Sequence, residues 1–385
     1  MRGWMRAMIV LVVGTLPAPG LAAPDKKLED ALSVARKTEV VFEDLARRVE
    51  PAVVSVTRFV KDEAWWNAAR QGKPLSGGWQ TISHDDLLYT GMRPTGGGSG
   101  FLISKDGFIL TLRRVVIEPG TDRVADTIDV QVGIVHYRAA VVGMEPTIDL
   151  AILKITPAGP VPFLKLGDSG KARVGHWAIA FGDPAGNEKT MVPGVVSYEP
   201  SRECYQDELS ATYLQTSMRV SDGALGGPVV NLDGEVIGIT TRRGDSLKPE
   251  SLVGAAGSGY ALPINLATAI YRSLLARTSH ESPWLGISVR LLTDDLRKQA
   301  GAPPGAVGIY IDNVFDPSPA TLAGIKVGDI LGIMDGNQIA NVYDFQRKLY
   351  ELGVGAQVRL NLIRGRRLVQ VTAEITARPR EATTR

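Results

Sequence analysis

The sequence predicts a mostly β chain, with one all-β unit of barrel or sandwich type followed by a smaller, separate unit. Three observations carry this. Short strand-like runs recur from Gly96 onward with turn signals between them. Asp106-Gly107 and Asp233-Gly234 stand between apolar runs, the strongest short-range hairpin signal. Turns are frequent, since 42 glycines and 23 prolines fall among 385 residues. The length suffices for two or three domains, each with its own core.

Composition excludes several classes. Hydrophobic residues make up 44% and charged residues 22%, ordinary for a soluble globular protein. Lys+Arg number 43 against 41 Asp+Glu, so no strong field points to nucleic acid. The basic run Arg364 to Arg367 and the tail from Arg378 read as solvated turns and ends. Cys204 is the only cysteine, which rules out an intrachain disulfide and cysteine-based zinc sites. It reads as a small neutral loop residue, and no metal or cofactor is called for.

At the N-terminus, Arg2 and Arg6 precede the apolar run Ala7 to Leu16. Pro17, Pro19 and Gly20 break it, and Ala22 and Ala23 follow. This is the pattern of a secretory signal, expected over residues 1–22. The run is shorter than the ~20 residues a membrane span needs, so cleavage is favoured over an uncleaved anchor. A helical arm follows over 23–50. It has one stripe of Leu28, Ala31, Leu32 and Ala35 and a second of Phe42, Leu45 and Val49, ending at Pro51.

The period then becomes that of strands. Ala52 to Val56 is the first. A long insertion, about Lys61 to Thr95, reads as irregular, and its Trp65, Trp66 and Trp79 suggest an interaction loop. Further strands are expected at Gly100 to Ser104, Phe108 to Thr111, Ile128 to Val132, Ala139 to Val142 and Leu150 to Ile155. Others follow at Trp177 to Phe181, Val192 to Ser197, Val229 to Asn231 and Val236 to Thr240. A helix over Ile264 to Leu275 closes the unit at about residue 277. Thr278 to Pro283 is a polar hinge. The last unit, 283–378, has a helix at Val342 to Leu352, opened by Asn341 as N-cap with Asp344 three residues on. It ends on a hairpin of Gln357 to Ile363 with Leu368 to Ile375, before a tail of 379–385.

Five ordered segments resemble the HtrA/Deg family of trypsin-like proteases. They are Val49-Glu50-Pro51-Ala52-Val53-Val54; Gly97 to Ser104 with Asp106 to Thr111; Thr147-Ile148-Asp149-Leu150-Ala151; Gly223-Ala224-Leu225-Gly226-Gly227-Pro228; and Gly257 to Pro263. The resemblance runs from Glu43 to Arg378. It implies a trypsin-like double β-barrel followed by a PDZ domain, assembly as a trimer or a mixed oligomer with active relatives, and residence in the periplasm.

It implies a serine-protease triad as well, and here the sequence departs from the family. The position of the histidine base holds Arg114, and the position of the serine nucleophile holds Leu225; of the three, only Asp149 remains. A guanidinium offers five donors and no acceptor, so it takes no proton near neutral pH. An isobutyl group has no lone pair with which to attack a carbonyl. Leu112, Arg113 and Ala224 also depart from the pattern. His84, His136, His176 and His280 read as ordinary polar residues, and Ser217 and Ser221 are poorly placed to replace the nucleophile. Gly223 and the backbone N–H of Leu225 could still form an oxyanion-hole turn; alternatively, Leu225 fills the space and closes the site. Arg114 is expected to turn its guanidinium onto Asp149.

In the last unit, Ser318-Pro319-Ala320 and Ala323 to Ile330 resemble a PDZ domain. The resemblance makes Trp284, Leu285, Gly286 and Ile287 the carboxylate-binding loop, with Ser288 and Val289 beginning the strand to which a peptide adds. The expected partners are C-terminal peptides or unfolded proteins. The expected function is that of a pseudoprotease acting as chaperone, adaptor or regulator. An active endopeptidase with non-standard residues and an oligomer scaffold are the alternatives.

Overall fold

The computed structural model describes residues 26–71, 90–184, 189–198, 213–242, 259–276 and 282–379. The signal segment, Trp79, His84, Cys204, His280 and most of the hinge and tail lie outside the described residues. Contact density divides the chain into a unit through Asp44 and a second from Leu45 onward. The two stripes of the arm belong to one continuous helix, α1 (Lys26–Val49). Within its outer part Leu32, Val34, Val40 and Val41 are exposed. In the second unit, Leu45 and Val49 are buried.

The first barrel holds β1 (Val53–Lys61), α2 (Glu63–Arg70), β2 (Met92–Leu102), β3 (Phe108–Leu112) and the single turn α3 (Arg113–Val116). It is completed by β4 (Thr127–Val132), β5 (Val135–Glu145) and β6 (Leu150–Lys154), closed in the order β1-β2-β3-β6-β5-β4. Closure leaves no edge strand unpaired. Phe101, Leu102, Ile109, Leu110, Ile152 and Leu153 are fully buried.

The insertion departs from the expected irregular loop at both of its described ends. Asp62 caps α2 by accepting the Trp65 amide at 2.9 Å. Trp65 and Trp66 are buried, so packing holds them and they are not displayed for a partner. At the far end β2 already begins at Met92. The interior of the insertion, with Trp79, lies outside the described residues.

The second barrel holds β7 (Trp177–Gly182), β8 (Thr190–Tyr198), β9 (Leu214–Thr216), β10 (Pro228–Val230), β11 (Val236–Thr241) and β12 (Gly259–Pro263). These close in the order β10-β11-β12-β9-β8-β7, and α4 (Ile264–Ala276) follows.

The last unit contains β13 (Pro283–Trp284), β14 (Ile287–Leu291), α5 (Asp294–Gln299), β15 (Ile309–Val314), α6 (Pro319–Leu322) and β16 (Ile330–Met334). Then come β17 (Asn337–Gln338), α7 (Val342–Leu352), β18 (Gln357–Arg364), β19 (Arg367–Glu374) and β20 (Thr376–Ala377). The sheet runs β14-β15-β16-β18-β19, which leaves β14 at an edge. Asn341 caps α7, its Oδ1 accepting the Asp344 amide at 2.9 Å. The basic run is not wholly solvated: Arg364 grips the buried carboxylate of Asp329 through Nε (2.7 Å) and Nη2 (2.8 Å). A carboxylate taken out of water needs such a partner.

Candidate functional site

Two clefts hold the residues singled out by the sequence. The first lies between the barrels. β3 delivers the chain into α3, and the tight turn between β5 and β6 delivers Asp149 behind it. The Arg114 amide donates to Asp149 Oδ1 at 2.8 Å, and Arg114 Nε donates to Asp149 Oδ2. The Arg113 amide donates to the Asp149 carbonyl at 2.9 Å. The expected ion pair is therefore in place. Burial pushes the Asp149 carboxyl above its ordinary range, against the downward pull of the Arg114 guanidinium and amide. Asp149 sits at φ 58°, a left-handed conformation uncommon for a residue with a side chain.

Arg58, which the sequence reading passed over, supports this site from β1. Its guanidinium donates to the carbonyls of Arg114 (2.8 Å) and Thr95 (3.1 Å). Burial lowers its pKa. No motif marks this residue; only the register of β1 beside α3 reveals it.

Leu225 meets the first barrel from the second, its carbonyl accepting the Ser99 amide at 2.8 Å. A Cβ added to Gly98 would lie 2.7 Å from Val115 Cγ2 and 2.8 Å from the Leu225 carbonyl, so α3 and this turn flank a single glycine. Leu225 is buried, and Asp222–Ala224 before it form a 3-10 turn. The Leu225 N–H donates to the Asp222 carbonyl at 3.2 Å. The amide expected as an oxyanion donor is thus engaged within the 3-10 turn. Gly223 packs against Pro184, with room for no Cβ, and its carbonyl accepts from Ser99 Oγ at 2.7 Å. Thr240 Oγ1 holds the carbonyls of Ala224 (2.6 Å) and Gly227 (3.1 Å) from the opposite side.

The other candidates are occupied with structural tasks. His136 Nδ1 lies 2.8 Å from Asp129 Oδ2 across the β4–β5 hairpin. His176 precedes β7, and its carbonyl accepts the Val196 amide. Ser217 Oγ accepts the Val195 amide at 3.0 Å, Thr216 is buried in β9, and Ser221 precedes the 3-10 turn. Among the described residues no group of three or more His, Cys, Asp or Glu could hold a metal ion. Nor is any helix there long and apolar enough to cross a membrane.

The second cleft is the groove between β14 and α7. Leu285, Ile287, Phe345, Leu349 and Tyr350 line it. Trp284 packs on Phe315, with ring centroids 6.1 Å apart. The Leu285 carbonyl accepts from the Ala320 amide and the Gly286 carbonyl from the Phe315 amide, both at 2.9 Å. In a trans peptide the N–H points opposite to the C=O of the same unit. The amides of Gly286 and Ile287 therefore point away from α6 and β15, as a carboxylate-binding loop requires. Ser288 and Val289 continue along the open edge of the sheet. Phe345 and Leu349 were legible as helix but not as groove, because they share the one buried face of α7 with residues that do not line it.

The trypsin-like peptidase domain family matches residues 98–239, and the PDZ domain family matches residues 283–375. The chain is 33% identical over 303 residues to HhoA of Synechocystis sp., which is named as a serine protease; the match covers 76% of this chain and 73% of that one. It is 29% identical over 411 residues to a DegP-like protein of Brucella suis biovar 1, named as a periplasmic serine endoprotease, covering 97% and 76%. Among solved structures it resembles the HtrA-type protease AlgW with a decapeptide, at a TM-score of 0.62 and 25% identity, covering 88% of this chain and 99% of that one.

Proposed function

Because the chain belongs to the HtrA/Deg family, with a trypsin-like double barrel and a PDZ domain, we propose that it is a pseudoprotease. In this reading it binds C-terminal peptides or unfolded envelope proteins through its PDZ domain and acts as a chaperone, adaptor or regulator. The observation that carries it is the occupancy of the triad positions. The guanidinium of Arg114 is bound to Asp149, and Leu225 is a buried alkyl group. Neither can accept a proton from, or act as, a nucleophile. The engaged Leu225 amide further supports it, since oxyanion donors supply much of such an enzyme's rate.

Peptide binding is supported by the open edge of β14, by the orientation of the loop amides, and by the decapeptide held by AlgW. Export to the periplasm is proposed with it, supported by the N-terminal signal pattern and by the names of the relatives. Assembly is proposed as a homo-trimer or a mixed oligomer with active relatives. The relatives named as serine protease or serine endoprotease favour one alternative, catalysis by non-standard residues. Hydrolysis of unfolded casein by the purified chain, with and without a serine-directed inhibitor, decides between them. No turnover is expected; turnover that survives removal of contaminating proteases sinks the pseudoprotease reading.

A further inference from the structure

A third cleft, unmarked by any motif, opens between α4 and α7. Its volume is about 870 Å³. That lies within the range of small-molecule sites, roughly 300 to 1,000 Å³. Residues three and four apart share one side of a helix, and Asn265, Thr268, Arg272 and Ser273 bring one side of α4 to this cleft. Arg347 and Glu351 do the same for α7. Ser169 Oγ meets both the Tyr343 hydroxyl and the Asn265 amide, which fixes the start of α7 against the start of α4.

The charges of this lining do not balance. Glu351 is the one carboxylate among the lining residues, and it serves two cations, Arg347 Nη1 and, at 3.8 Å, Lys348 Nζ. The neighbouring carboxylates Asp168 and Glu235 have partners of their own, Lys171 and Lys165. Among the described residues the Arg272 guanidinium has no hydrogen-bond or ion-pair partner, and the hydroxyls of Thr268 and Ser273 have none either. A guanidinium matches a carboxylate or phosphate, which it grips through two parallel N–H bonds. The same cleft is lined by Leu166, Ala269, Leu352 and Val354, whose side chains carry no polar atom. A ligand that satisfies both parts has one acidic head and an apolar chain.

We infer that the cleft between α4 and α7 binds an anionic amphiphile, a carboxylate or phosphate head on an alkyl chain. Arg272 holds the head, with Arg347 and the hydroxyls of Thr268 and Ser273 as further donors. The chain lies against Leu166, Ala269, Leu352 and Val354. The inference does not rest on the peptide-binding reading, and its failure leaves that reading untouched.

The test is isothermal titration of the full mature chain with decanoate, decyl phosphate, decanol and acetate, each below its micelle-forming concentration. Decanoate or decyl phosphate should bind, and the tighter of the two names the head group. Decanol, which lacks the charge, and acetate, which lacks the chain, should bind roughly tenfold more weakly or worse. Arg272 is exposed, so Arg272→Gln leaves the fold intact and should weaken binding of the anion about tenfold. Ser273→Glu, which adds a carboxylate to the lining, should weaken it at least as much. Binding of neither anion overturns the inference. So does an unchanged affinity in Arg272→Gln, which is what a merely solvated arginine predicts. Equal affinities for decanoate and decanol overturn it as well, since they would show adsorption to apolar surface alone.

Discussion

The triad positions between the barrels and the groove of the PDZ domain differ in what their backbone leaves free. In the first, the filling is local and cross-braced. Leu225 sits in a turn whose carbonyls and amide are held by Ser99, Thr240 and Asp222. In the second, β14 stays at the edge of its sheet and the amides of Gly286 and Ile287 point away from α6 and β15. A site whose amide is engaged by its own turn offers no donor to a ligand, whereas an edge strand and outward-pointing amides offer several. This contrast is why catalysis and peptide binding receive opposite assignments in one chain.

The largest effect should come from trying to restore chemistry to the first cleft. Triad members act as a unit, and losing one typically costs about 10⁶ in kcat. Arg114→His alone and Leu225→Ser alone should each leave casein hydrolysis at background. Together they should give weak activity at best, because the amide of residue 225 remains on the Asp222 carbonyl. A single variant that cuts as fast as the double one would mean that another residue already serves in the missing role.

The bracing of the turn can be broken at Gly226. This residue lies at φ 90°, and a Cβ there would stand 2.3 Å from the Ser99 carbonyl oxygen. Gly226→Ala combines a strained conformation with a backbone collision and should destabilise the chain by about 3 kcal/mol or more. Urea unfolding measures it. A loss below about 1 kcal/mol would show that the turn yields easily, and the contrast between the clefts would weaken.

Much of this was legible beforehand. The Asp-Gly hairpins, the Asn341 cap and the ordered motifs placed both barrels and the PDZ helix, because local turn chemistry and strand periodicity act over a few residues. The pairing of Arg114 with Asp149 was also legible, since the barrel fixes both backbones. What escaped were contacts set by long-range packing. Arg58 reaches α3 from β1, Tyr343 meets Ser169, and the Leu225 amide is spent within a turn whose 3-10 geometry no residue type announces.

Arg114→Met tests whether the charge pair belongs to the closure of the first cleft. Asp149 has a folded-state pKa raised by burial, so its contribution to stability is present below its unfolded pKa and is lost as pH rises through the folded value. Removing Arg114 removes a downward pull and raises that pKa further. The loss should therefore be about 1 to 2 kcal/mol near neutral pH and fade toward about pH 4. This is less than for a fully buried pair, because the side chains of Arg114 and Asp149 remain 31% and 16% exposed. A loss that is the same at both pH values would mean that Arg114 acts through packing alone.

The smallest effect probes what holds the PDZ domain against the barrel. Tyr343, in the first turn of α7, places its hydroxyl 3.3 Å from Ser169 Oγ, and both residues are buried. Ser169 Oγ also accepts the Asn265 amide at 3.2 Å, so the serine is fixed from the barrel side whatever Tyr343 does. Tyr343→Phe should thus cost only about 0.5 to 1.5 kcal/mol, the net worth of one neutral hydrogen bond. Burial raises the Tyr343 pKa to about 12. A raised tyrosine pKa keeps its contribution intact below the unfolded value, about 10, so the loss should not vary across neutral pH. A double-mutant cycle with Ser169→Ala isolates the pair. A coupling of zero would show that this bond does not help to hold the two domains together.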